Sequence, residues 1–170
     1  KAAYTLDLPI ANSYYISETQ APYGYIRNSS DVYSFNFNYL SETTPKATFA
    51  HTFENDRTTA KIHIFKMDKE TCVAIPQGDA SLEGAVYGLY ARNDIVHPDG
   101  ATGVVFKAGD LIATLTTDKY GEAEVDNLYL GNYYVKEITP SEGYLLDEEE
   151  HDLVCDYEGD MVAEVSRSTT

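Results

Sequence analysis

Tryptophan is absent from this sequence, and cysteine, with two residues, nearly so. Basic side chains are scarce as well: 12 lysines and arginines face 28 aspartates and glutamates, for a net charge of −16. No basic stripe is left to neutralise phosphates, which argues against nucleic acid as a partner. The same charge disfavours an anionic membrane surface. No apolar run is long enough to span a bilayer, no helical periodicity is sustained, and no signal peptide, sorting motif or basic tail is visible. The expectation is therefore a fragment without the two ends of its parent. The histidines, His51, His63, His97 and His151, do not fall at metal-ligand spacing, and no Ser/His/Asp or phosphate-loop arrangement can be assembled. An enzyme is the least supported class, and no cofactor or metal is expected.

What is present points to strands. Tyrosine occurs 15 times, and Thr, Val and Ile recur between clusters of Gly, Asn, Asp and Pro, which reads as all-β. A chain of 170 residues holds one medium or two small domains, and units of about sixty residues are only marginally stable unaided. Cys72 and Cys155 leave a disulfide and two buried free thiols both open, because spacing alone cannot place their Cα atoms.

The chain also repeats itself. Asn127 to Tyr144, NLYLGNYYVKEITPSEGY, is a near copy of Leu8 to Tyr25, LPIANSYYISETQAPYGY. In both, two tyrosines and a β-branched residue lead into a glutamate, Glu18 or Glu137, and a Gly-Tyr pair closes the segment seven residues later. Internal repetition marks tandem modules, so the chain is expected to be a piece of an array. By the period-two alternation of a strand, Glu18 and Glu137 share the faces of Ile16 and Val135. A carboxylate on an apolar face is either paired, kept protonated by burial, or wetted by the turn that follows it.

Taken in order, Tyr4, Leu6 and Leu8 alternate as a strand, and Val32 to Leu40 carries Tyr33, Phe35, Phe37 and Tyr39 on one aromatic side. Ala47 to Asn55 reads as the last strand of a half module, with Phe49, His51, Phe53 and Asn55 on one face. Asp56 to Ala60 is a short polar linker. In Lys61 to Asp68, KIHIFKMD, Lys66 lies in register with Ile62 and Ile64; a lysine at the end of such a row ordinarily snorkels to water. Leu82 to Tyr90 reads as a strand, with Gly84 at its turn entry and Gly88 at a close approach. Asn93 to Gly109 reads as a long excursion, and Leu111 to Thr117 with Gly121 to Val125 as a hairpin. Strands at Leu153 to Tyr157 and Met161 to Ser166 follow the repeat.

Four blocks now stand in order: Lys61 to Asp68, Leu82 to Leu89 (LEGAVYGL), Thr116 to Gly121 (TTDKYG), and Tyr133 to Glu137 (YYVKE) with Gly143-Tyr144. Together they resemble the Cna B-type, SpaA-like or prealbumin-like domain of Gram-positive surface adhesins and pilins. The resemblance implies one nearly complete β-sandwich over residues 59–170, preceded over 1–58 by the C-terminal half of another. Such domains join a lysine on the first strand to an asparagine or aspartate on the last by a spontaneous isopeptide bond, promoted by a buried glutamate. By position, Lys66 and Glu137 match the lysine and glutamate of the second module. Glu18 and Asn55 match the glutamate and acceptor of the first, whose lysine would precede Lys1. These residue types suit the chemistry, because an amine is a nucleophile only when neutral and a protonated carboxyl can polarise the acceptor and relay the proton.

The second module departs from the pattern. After Asp160 there is no Asn or Asp, and aligning Phe53 with Val165 sets Arg167 where the first module has Asn55. Three readings stay open: no cross-link, an acceptor beyond Thr170, or a Cys72 to Cys155 disulfide in its place. The resemblance implies an extracellular, wall-anchored setting and neighbouring domains of the same surface protein as partners. Two functions follow: a stalk module of an adhesin or pilin, or a module binding a host matrix glycoprotein or immunoglobulin through tyrosines and the 93–109 loop.

Overall fold

The structure is a computed structural model that describes residues 3–44 and 46–170. Lys1 and Ala2 at the start of the expected first module, and Pro45 within it, lie outside the described residues. The chain divides into two compact units, one of Lys1–Ala21 with Arg27–Asp56, the other of Pro22–Ile26 with Arg57–Thr170.

In the first unit, β1 (Asn12–Ser17) pairs antiparallel with β2 (Val32–Phe37), setting Tyr14 opposite Phe35 and Ile16 opposite Tyr33. Two differences from the expected strands appear. Tyr4 to Leu8 and Ala47 to Asn55 form no ladder. Side chains tie the second of these in place instead: Phe49 stacks on Phe35 at 4.2 Å and His51 on Tyr33 at 4.9 Å between ring centres. A two-stranded ribbon gives little backing for further strands, so the aromatic alternation is realised as ring packing without main-chain pairing.

The second unit is a two-sheet sandwich. Its strands are β3 (Thr59–Phe65), β4 (Val86–Ala91), β5 (Ile95–Val96), β6 (Val104–Phe106), β7 (Leu111–Thr116), β8 (Glu122–Leu128), β9 (Gly131–Thr139), β10 (Glu150–Cys155) and β11 (Glu164–Thr169). One sheet has the order β10-β9-β4-β7 and the other β11-β3-β8. Every second residue of β3 and β9 points inward, and Ile62, Ile64, Tyr133 and Val135 meet Leu89, Leu153 and Val165 in a single core. This is the packing that alternating apolar strands require of two facing sheets. β3 and β11 are parallel neighbours, with Val165 beside Ala60, Arg167 beside Ile62 and Thr169 beside Ile64.

Here too particular strands differ from expectation. Leu82 to Ala85 is the turn before β4 and not part of it, and at Gly88 it is no backbone but the Tyr90 ring that comes close, 2.5 Å from where a Cβ would stand. The 93–109 excursion folds into the small β5-β6 hairpin. β7 and β8 are not a hairpin: β7 pairs with β4 and β8 with β3, so the chain changes sheet between them. Asp118 makes that corner, its Oδ1 accepting the N–H groups of Tyr120 at 2.8 Å and Glu122 at 3.0 Å. Turn chemistry dictates a reversal but not which sheet each arm joins.

Candidate functional site

Lys66 follows β3 directly, and its backbone N–H donates to Gly121 O at 2.7 Å. Gly121 has φ +78, and a Cβ on it would stand 2.7 Å from Lys66 O, so only glycine lets the β7-β8 corner lie on this segment. The lysine continues the inward row of Ile62 and Ile64 and is 8% exposed. It does not reach water: Nζ donates to Glu137 Oε1 at 2.8 Å.

Glu137 continues the row of Tyr133 and Val135 on β9 and is 2% exposed. Its second oxygen, Oε2, accepts the backbone N–H of Asp147 at 2.8 Å. Both carboxylate oxygens are therefore engaged, as a buried acid requires. Tyr87 lies across from Glu137 in the β4-β9 pair. Burial, with Glu137 beside it, pushes the Tyr87 hydroxyl well above the ordinary tyrosine range. The Tyr144 and Tyr87 rings face Lys66 Nζ at 5.1 and 6.0 Å from their centres. Spacing in the sequence singled out Lys66 and Glu137; the Asp147 amide and the Tyr144 ring come from loops whose approach leaves no periodic mark, whereas Tyr87 comes from β4.

In the first unit the other copy of the motif holds a different partner. Glu18 Oε1 accepts a hydrogen bond from Asn55 Nδ2 at 2.9 Å. Asn55 Oδ1 in turn accepts the Asn28 N–H at 3.4 Å. Glu18 Oε2 is buried and has no hydrogen-bond partner among the described residues.

The remaining sequence candidates sit elsewhere. Arg167 is turned to the β10 edge, donating to Val154 O at 2.8 Å and to Glu158 Oε1 at 2.7 Å. Cys72 and Cys155 do not bridge: both are free, Cys72 exposed and Cys155 buried. Burial raises the Cys155 thiol to about 11. In the 93–109 loop, Asp99 accepts from Thr102 and Ala101 of its own turn and lies 3.1 Å from His97 Nδ1, and Asp94 Oδ1 caps Ala108.

A two-sheet prealbumin-like sandwich, with a buried lysine at the end of its first strand paired to an acid of the facing sheet, defines the class. Residues 60–169 match the SpaA prealbumin-like fold domain. The chain belongs to that family. Among solved structures, the Bacillus anthracis TIE protein is similar at a TM-score of 0.58 and 20% identity, over 94% of this chain and 24% of that one. The group B streptococcus pilus 2b backbone protein is similar at a TM-score of 0.44 and 19% identity, over 81% of this chain and 46% of that one. The T6 backbone pilin of serotype M6 Streptococcus pyogenes gives 0.41 and 20%, over 85% and 24%. This chain thus spans 24% of the TIE protein and 46% of the pilus 2b protein. No curated protein matches the sequence.

Proposed function

We propose that this chain is a stalk module of a Gram-positive surface protein, a pilin or wall-anchored adhesin, and that Lys66, with Glu137 as acid and base, forms an intramolecular isopeptide cross-link to an acceptor on the last strand. Its partners are then the neighbouring domains of its own parent. The observation that carries the reading is the 2.8 Å contact between two buried groups, Lys66 Nζ and Glu137 Oε1, at the end of the strand that lies beside β11.

The chemistry balances with an asparagine acceptor. Glu137 takes a proton from the Lys66 ammonium, the neutral Nζ attacks the carboxamide carbon to form the new C–N bond, and the old C–N bond breaks as the proton held by Glu137 and the second proton shed by Nζ leave on the departing nitrogen as ammonium. β11 sits beside β3 with Thr169 opposite Ile64, so continuing that register by two residues reaches Lys66. An acceptor two places beyond Thr169 in that register would face Lys66, whereas Arg167 is opposite Ile62. Glu18 and Asn55 are the matching acid and acceptor of the first module. An amide closing about 100 residues, treated like a disulfide of that span, would remove unfolded-state entropy worth roughly 4.7 kcal/mol.

The test is intact-mass spectrometry of a parent chain extended past Thr170. The expected result is a loss of about 17 Da, one ammonia, for each asparagine cross-link, abolished by Glu137→Ala. An unchanged mass, with Lys66 recovered as a free amine after digestion, would overturn the reading.

A further inference from the structure

Lys66 and Asp68 point the same way on either side of half-exposed Met67, and Asp68 is only 6% exposed. One Asp68 oxygen, Oδ1, collects the N–H groups of Glu70 and Thr71 at 3.0 and 2.9 Å, the Thr71 hydroxyl at 3.1 Å and Gln77 Nε2 at 3.0 Å. The other, Oδ2, accepts the Tyr144 hydroxyl at 3.3 Å. Tyr144 reaches it through a built turn. Its N–H donates to Ser141 O at 3.1 Å, and Glu142 O accepts the Ser81 N–H at 2.9 Å. Gly143 has φ +82, and a Cβ there would come within 2.7 Å of Ala80 Cβ, so the turn packs on Ala80 only as glycine. The result is a tyrosine tethered at its hydroxyl with its ring face toward Nζ at 5.1 Å.

We propose that Tyr144, anchored by Asp68, is a positioning residue that holds the Lys66 amine on Glu137 and closes it off from solvent. Glu137 occupies one side of Nζ, the Tyr144 ring another, and Tyr87 is further off at 6.0 Å. A ring face attracts the cation and, being apolar, excludes water from it. The amine is thereby reserved for an electrophile delivered from within the sandwich. The inference deepens the cross-linking reading of Lys66 and rests on it for its purpose, but the shielding can be measured without any cross-link.

The experiment is timed acylation of the native chain with an N-hydroxysuccinimidyl acetate probe, followed by site-resolved peptide mass. Lys107 is the internal reference, and near-ultraviolet circular dichroism is the check on folding. In the parent, Lys66 should label far more slowly than Lys107. Tyr144→Leu should speed Lys66 labelling by at least the factor that one exposed cation–π contact represents, roughly two- to fivefold, with Lys107 unchanged. Tyr144→Phe keeps the ring and loses the tether to Asp68. It should give a smaller acceleration and a reduced ring-current shift of 13C-methylated Lys66, a signal that general loosening would not produce selectively. Should the leucine variant not fold, the phenylalanine variant decides. Equal Lys66 labelling in the parent and the folded variants, with no ring-current shift to lose, would overturn the proposal. A missing 17 Da loss in the extended chain counts instead against the cross-linking reading, because labelling is scored on the free amine.

Discussion

Asn55 donates its amide to Glu18 at 2.9 Å in one unit, in the place where Glu137 receives the Lys66 amine at 2.8 Å in the other. The same repeated glutamate thus meets a carboxamide once and an amine once. Glu18 keeps a buried oxygen, Oε2, unpaired among the described residues.

The Lys66–Glu137 pair is a dependency more than a source of stability. Removing the acid alone leaves an ammonium buried among Tyr87, Tyr144 and the β3 core. Before any cross-link forms, Glu137→Ala should destabilise the second unit by about 3–5 kcal/mol in denaturant titrations. Replacing both partners, Lys66→Met with Glu137→Leu, should recover most of that loss. A double variant as unstable as the single one would show that the Asp147 contact, and not the unpaired charge, sets the cost.

Asp68 should contribute to acid sensitivity of the fold. The Thr71 N–H above all, then Gln77, the Thr71 hydroxyl and the Glu70 N–H, hold its carboxyl below the ordinary value of 3.8. A depressed folded-state value contributes stability that is present above the unfolded value and is lost as pH falls through the folded one. Denaturation midpoints should therefore drop below about pH 4, and Asp68→Asn should flatten that part of the profile. An unaltered slope in the variant would assign the acid sensitivity elsewhere.

The two thiols should respond differently to a thiol reagent. Cys72 is exposed, whereas Cys155 is buried and its thiol is raised to about 11. Native protein should titrate one thiol with a disulfide reagent and unfolded protein two, with no reductant needed. A native count of zero that rises only on reduction would mean that the cysteines are bridged.

Gly121→Ala should cost about 1–3 kcal/mol, because alanine meets both a left-handed backbone and the Lys66 carbonyl. Denaturant midpoints read the loss. If it is confined to this corner, the β9 amides around Glu137 should keep their hydrogen-exchange protection while those of Lys66 and Glu122 lose it.

Much of the second unit's site was legible, and the reason is periodicity. Ile62, Ile64 and Lys66 on one strand, and Tyr133, Val135 and Glu137 on another, announce their inward faces by alternation alone, and the structure buries all six. Glu18 was expected on the same terms, but the face it shares with Ile16 is not buried: Ile16 is 45% exposed and Glu18 only half-buried. What escaped is non-local. Nothing in Asp118 to Gly121 says that its two arms belong to opposite sheets. Nothing near Glu137 says that the Asp147 amide folds back to it. Asp68 and Tyr144 each end one of the sequence blocks, and the Asp-x-x-Thr spacing of Asp68 and Thr71 signals a capped turn. Their meeting depends on how two loops pack at one end of the sandwich. The 47–55 segment misled because stacked aromatic side chains alternate as a strand does while the backbone finds no partner.

The parallel pairing of β3 and β11 fixes how the second unit would answer tension applied at its ends. Tension that enters at Thr59 and leaves at Thr169 draws these two neighbours past each other along their length, so the rungs between them are strained together and none can open first. A hairpin pulled from its open end would instead unzip one rung at a time. Chain direction alone therefore gives this sandwich shear resistance, before any covalent tie is added.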